Sequence, residues 1–286
     1  MTLLAVPNVS EGRDPGAIAT IAAAFSRRGA RLLDVHSDPD HHRTVFTLAG
    51  GPGELAYAVL DGARETLQRI DVKGHSGRHP RVGAIDVAPI VYLDDGDRGS
   101  ACAEALVLAD LLGAELELPV FLYGSLADGR TRAELRRGGP VELQRRLESG
   151  ELAPDFGPRQ LHPTAGAVLV ASRPPLVAFN LELAPPAKLE QAREIANAIR
   201  EGGPEGIPGV RAIGVWLDQR GIAQVSTNVE EYPNVQLGEV VAAVARRAPI
   251  VEAELVGLAP RAAFEGFPAD VPVRNARTIE DALEHD

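Results

Sequence analysis

Short apolar runs alternate with helical stripes along this chain, and the order strand–helix–strand–strand–helix–strand occurs twice. Each half must therefore cover one face of a sheet with helices, which is an α/β (α+β) pattern of the split βαβ kind. In the first half Leu3 to Val6 reads as a strand. Asp14-Pro15 then offers an N-cap with proline at the first helical position, and Ile18, Ile21, Ala22 and Phe25 follow at helical spacing. Arg31 to Val35 and Thr44 to Leu48 read as strands, Glu54 to Gln68 as a helix and Val82 to Tyr92 as an apolar strand. Ala101 to Leu112 reads as a helix and Val120 to Tyr123 as a strand. The basic stretch Thr131 to Arg146 reads as a helix whose charges form a solvated face.

The second half repeats the order. Ala167 to Val170 and Leu176 to Leu183 read as extended, and Leu189, Ala192, Ile195, Ala196 and Ile199 form a helical stripe. Val210 to Leu217 and Ile222 to Thr227 form a hairpin through Gln219-Arg220-Gly221. Asn234 can cap a helix bearing Leu237, Val240, Val241 and Val244, and Ile250 to Val256 closes as a strand. Beyond Ala259 no pattern is legible. The expectation is two βαββαβ-like subdomains, residues 1–169 and 170–286, with a ligand cleft between their sheets.

Composition narrows the function. A formal net charge of −11 argues against nucleic acid held by a basic surface. The single cysteine, Cys102, excludes an internal disulfide and an all-cysteine zinc site, and reads as a buried packing residue. No apolar run reaches the ~18 residues of a membrane span. No basic segment followed by a long apolar stretch opens the chain, so no signal peptide is expected and the compartment is read as cytoplasmic.

Five of the seven histidines fall in two short polar segments, His36 to Arg43 and Gly74 to Gly83. Imidazole takes and gives a proton near neutral pH, which suits a site on loops between apolar strands. His79 lies among Gly74, Ser76, Gly77 and Pro80 and is the candidate acid–base; Asp34 or Asp38 could orient it. Arg43 and Arg81 follow the histidines closely, and guanidinium forks hold carboxylates. A metal site on His36 to His42 is the rival reading, but adjacent His41 and His42 point apart in an extended chain, and no metal is expected. No phosphate-binding glycine loop and no G-x-S-x-G elbow is present, so neither common nucleotide fingerprint nor serine-nucleophile hydrolysis is supported.

Val6-Pro7-Asn8-Val9-Ser10-Glu11-Gly12, Leu32 to Thr44, Gly74 to Pro89, Leu122-Tyr123-Gly124 and Pro154-Asp155-Phe156-Gly157-Pro158 resemble the N-terminal subdomain of glutamate formiminotransferase. Gln224-Val225-Ser226-Thr227-Asn228 and Glu254-Leu255-Val256-Gly257-Leu258 resemble its C-terminal subdomain, so the resemblance runs from about Leu4 to Pro260. It implies transfer of a formimino group from N-formimino-L-glutamate to N5 of tetrahydrofolate. Tetrahydrofolate is then a co-substrate, with no bound cofactor, in a homodimer lacking the cyclodeaminase domain fused in some members. It implies that His79, in H-P-R, is catalytic. It also implies folate contact along Gly157, Pro158, Arg159, Gln160, Leu161, His162, Pro163, Thr164, Ala165 and Gly166, and places Asn8 at the substrate. The expected catalytic set is His79 with Asp34 and His36. The chain departs from the family at His36, where aspartate is usual, at His42, where asparagine is usual, and at Glu182, where asparagine is usual. Those departures keep open a related formyl or amidine transferase with another donor, or a folate-binding protein without this activity.

Overall fold

The Asp14 side chain accepts the backbone N–H groups of Gly16 and Ala17 at 2.8 and 3.1 Å, so α1 (Pro15–Phe25) begins where its sequence requires. The structure is a computed structural model that describes residues 1–75, 77 and 80–284. Its chain divides into two units, 1–174 and 175–286. Each carries the strand–helix–strand–strand–helix–strand order.

In the first unit β1 (Leu3–Ala5) and β2 (Asn8–Val9) are two pieces of one line, interrupted at Val6-Pro7. Both lie between β4 (Arg43–Gly50) and β5 (Ile85–Tyr92), and both run antiparallel to them. β3 (Arg31–Asp38) pairs outside β4. On the other side β7 (Val168–Arg173) runs parallel to β5 and to β6 (Val120–Leu122). Alternate residues of a strand face opposite ways, so Phe46 and Leu48 of β4 enter the core. That core is shared with α1, α2 (Leu55–Arg69) and α3 (Arg98–Leu116). Arg43, Val45 and Thr47 take the other face. A second cluster on Val87, Phe121 and Leu169 is covered by α4 (Arg132–Arg136) and α5 (Gly139–Glu148), through Leu135, Leu143 and Leu147.

The second unit is a five-stranded sheet in the order β12–β11–β8–β10–β9. Its strands are β8 (Val177–Leu183), β9 (Val210–Leu217), β10 (Ile222–Val229), β11 (Ile250–Val256) and β12 (Val273–Arg274). Its core is sealed by α6 (Leu189–Ile199) and α7 (Leu237–Ala245).

Several sequence readings are corrected. Residues 168–173 form β7 inside the first sheet, so the strand assigned to the start of the second half belongs to the first unit. β3 runs on to Asp38, which places His36 within a strand rather than in a loop. The basic stretch is two helices broken at Arg137-Gly138, and its face is not uniformly solvated. Arg146 is buried and donates to the carbonyls of Glu134 and Leu135 at 3.1 and 2.9 Å. Gln236, not Asn234, occupies the N-cap of α7. Cys102 is half-buried on α3. Past Ala259 the chain adds β12, parallel to β11, and the short helix α8 (Ile279–Glu284). Among the described residues no helix is long and apolar enough to cross a membrane.

Candidate active site

The segment Val6 to Gly12 is where the two histidine segments meet. Asn8 is held by its Nδ2, which donates to the Val6 carbonyl at 2.8 Å. Its Oδ1 accepts from Arg43, from Nε at 2.8 Å and also from Nη2. Asn8 therefore acts on Arg43, and its side-chain oxygen is occupied by that guanidinium. Ser10 donates from Oγ to the Gly83 carbonyl at 2.7 Å. Gly12 donates its N–H to His42 Nδ1 at 3.1 Å, and a Glu11 carboxylate oxygen lies 3.5 Å from the same nitrogen. One strand end thus ties the Asp38–Arg43 turn to the exit of the second histidine segment.

His42 and His75 stack with ring centroids 4.1 Å apart. Gly77 donates its N–H to His75 Nδ1 at 3.1 Å, and His75 Nε2 lies 3.1 Å from the His42 carbonyl. A ring nitrogen that accepts an N–H carries no proton, so the proton sits on Nε2 and donates to that carbonyl. Burial pushes the His75 pKa down to about 4, helped by the charges of Arg81 and His42. His75 is therefore a neutral brace with both nitrogens engaged. Burial lowers the His42 pKa as well, against the pull of Glu11. A Cβ on Gly77 would fall 2.4 Å from the His41 carbonyl oxygen, so only glycine lets the chain pass this close to the turn. Arg81 closes the arrangement by donating to the carbonyls of His75 at 2.5 Å and Gly77 at 3.3 Å.

His79, with Ser76 and Arg78, lies outside the described residues. Asp34 and His36 are opposite Thr47 and Val45 of β4, while Asn8 is also opposite Val45. Cross-strand partners share a face, so Asp34, His36, Asn8 and Arg43 all lie on the face away from α1 and α2. Residues 157–166 sit beside the exit of the second histidine segment. Ala84 donates its N–H to the Ala165 carbonyl and Val72 to the Thr164 carbonyl, each at 2.8 Å, while Ala167 donates to Val82 at 3.0 Å. A Cβ on Gly83 would fall 2.0 Å from the Ala167 carbonyl oxygen, so the two backbones meet without side chains between them. Within this segment His162 Nδ1 accepts from Ala165 N–H at 3.0 Å, which folds the loop upon itself, and Arg159, Gln160 and Pro163 are exposed.

The structure adds residues that sequence reasoning passed over. Asp86, 2% exposed, sits within the apolar run read as a strand. Its Oδ1 accepts the Val82 N–H at 2.8 Å, and its Oδ2 faces Arg136 and, at 3.4 Å, Arg43. Burial lowers the Arg43 pKa to about 9, still above neutrality, while Asp86 opposes and Arg136 and Arg132 reinforce the shift. A lone carboxylate in an apolar strand is the one signal that announced a buried cation nearby. Glu182, already singled out in the sequence as a departure from the family, is fully buried in the second unit and pairs with Arg220 at 2.8 Å and Arg274 at 3.0 Å. Among the described residues no group of three or more His, Cys, Asp or Glu side chains is placed to hold a metal.

The model of the formiminotransferase domain's N-terminal subdomain matches residues 2–173, and that of the formiminotransferase domain matches residues 178–267. The chain belongs to the formiminotransferase family. It is 37% identical over 268 residues to the glutamate formimidoyltransferase of Streptococcus pyogenes, covering 91% of this chain and 89% of that protein. A glutamate formimidoyltransferase of Thermoplasma acidophilum is 33% identical, covering 91% and 88%. The formimidoyltransferase-cyclodeaminase of Sus scrofa is 39% identical over 271 residues. The chain spans about half the length of such fused relatives, 49% for the pig protein.

Proposed function

We propose that this chain transfers a formimino group from N-formimino-L-glutamate to N5 of tetrahydrofolate. The observation that carries this reading is its similarity to the Streptococcus pyogenes glutamate formimidoyltransferase over about nine-tenths of both chains. In the reaction the N5 lone pair attacks the amidine carbon and gives a tetrahedral adduct. The N5 proton leaves, the bond from carbon to the glutamate nitrogen breaks, and that nitrogen gains a proton. The products are 5-formiminotetrahydrofolate and L-glutamate, with no net proton released.

In this reading His79 moves the proton between the two nitrogens. His75, neutral and fully engaged, braces the loop that carries His79, and Arg43 presents a fixed positive charge to the substrates. Such proton transfer supplies about 10²–10⁴-fold in rate. Folate contact along residues 157–166 and a homodimer follow from family resemblance, a cytoplasmic location follows from the lack of a signal-peptide pattern, and all three belong to the same proposal.

The test is a steady-state assay with both substrates, following the folate product. Replacing His79 with alanine should lower kcat by about 10²–10⁴-fold. Binding of either substrate should change far less, because the proton transfer matters mainly in the transition state. Absence of formimino transfer by the unaltered protein would remove the assignment, and near-normal turnover by His79→Ala would remove the acid–base role.

A further inference from the structure

On the sheet face opposite α1 and α2, Asp86 faces two guanidiniums. That carboxylate shares one oxygen between Arg136 and Arg43, while its second oxygen is taken by the Val82 N–H. The Arg43 and Arg136 side chains are only 16% and 12% exposed. A third guanidinium, Arg132, lies over the Tyr123 ring at 5.7 Å. Arg132, Arg136 and Tyr123 all belong to the electrostatic surroundings of Arg43.

Two donors here are unmet. The Tyr123 hydroxyl and the Arg136 Nε are both buried without a hydrogen-bond partner among the described residues, and Tyr123 is 6% exposed. Buried polar groups in folded proteins nearly always have partners, so two unmet donors in the surroundings of the Arg43 guanidinium ask for an anionic acceptor. The chemistry is that of a carboxylate. Guanidinium forks match its two oxygens, and a phenol adds one directional bond. Asp86 would orient the two guanidiniums without touching the ligand.

We propose that Arg43, Arg136 and Tyr123, with Arg132 across the tyrosine ring, form a pocket for a carboxylate of the glutamate moiety that both substrates carry. The inference rests on the formimino-transfer reading for the identity of that moiety; the donor and the glutamate end of folate are its two possible sources.

Tyr123→Phe is the decisive variant, because it removes a hydroxyl with no hydrogen-bond partner among the described residues and keeps the ring that packs in the core. Arg136→Gln is the second. L-Glutamate binding is measured by calorimetry, and KM is measured for N-formimino-L-glutamate and for tetrahydrofolate. Tyr123→Phe should weaken L-glutamate binding or raise one KM by about tenfold, the size of one good hydrogen bond to an ion, with kcat nearly unchanged. A rise in the donor KM assigns the pocket to the donor, and a rise in the tetrahydrofolate KM assigns it to folate. If Tyr123→Phe leaves L-glutamate affinity and both KM values unchanged, the pocket is refuted. If the unaltered protein transfers no formimino group yet binds L-glutamate through Tyr123, the pocket stands and the reaction assignment fails.

Discussion

Asp86→Asn separates charge from shape at the centre of the site. Asparagine is nearly isosteric, and its oxygen can still accept the Val82 N–H. What it removes is the negative charge that Arg43 and Arg136 share at the same oxygen. Removing one partner of a buried ion pair costs about 3–5 kcal/mol, because the remaining charge stays buried without compensation. Two features reduce that cost here. The guanidinium side chains are 16% and 12% exposed and reach some water, and the Val82 N–H keeps its acceptor, although the amide NH2 that replaces the shared oxygen can accept from neither guanidinium. The net destabilisation is therefore set at about 2–4 kcal/mol. For a unit of 174 residues this corresponds to a fall in Tm of about 4–16 °C, at roughly 2–4 °C per kcal/mol. Scanning calorimetry reads it directly. The variant should also hold anions more tightly, so saturating L-glutamate should raise its Tm more than it raises that of the unaltered protein. A Tm within about a degree of the unaltered value would refute the reasoning, since it would mean that Asp86 does not neutralise buried cations.

Two further outcomes follow from the histidine segment. His75 titrates near 6.5 when unfolded and near 4 when folded, so between those values the unfolded chain binds more protons and stability falls as the pH is lowered. Tm measured from pH 7 to pH 4 should therefore decline less steeply in His75→Asn, and equal slopes would show that the brace is not neutral. Gly83→Ala places a methyl group 2.0 Å from the Ala167 carbonyl oxygen and must push residues 165–167 away, at about 1–3 kcal/mol. Its Tm and its turnover should both drop, and an unchanged variant would show that the contact between the two segments is dispensable.

Much of the fold was legible because it is encoded locally. Asp14-Pro15 starts a helix by its own chemistry, and Gly221 closes the hairpin between β9 and β10 within a few residues. The candidate site was legible in part. His42, Arg43, His75 and Arg81 announced themselves through density and residue type, yet their roles did not. His75 looked as able to carry a proton as any histidine until its two nitrogens were seen to be engaged by Gly77 and the His42 carbonyl. Arg81, read as a ligand for substrate, also donates to two backbone carbonyls, a bracing role that residue type did not announce.

By itself the sequence determined the order of the main strands and helices up to Ala259, which family the pattern resembles and where the polar segments lie. These depend on side-chain period, caps and turns, and such interactions span a few residues. The tertiary structure alone decided which charges are buried. Arg136 and Arg146 sit in a stretch that reads as a solvated basic face, yet Arg146 caps carbonyls of the preceding helix and Arg136 meets a carboxylate 50 residues earlier. The charge of a long side chain is set by whatever the fold brings to its tip, and at that separation the helical period carries no information about the partner.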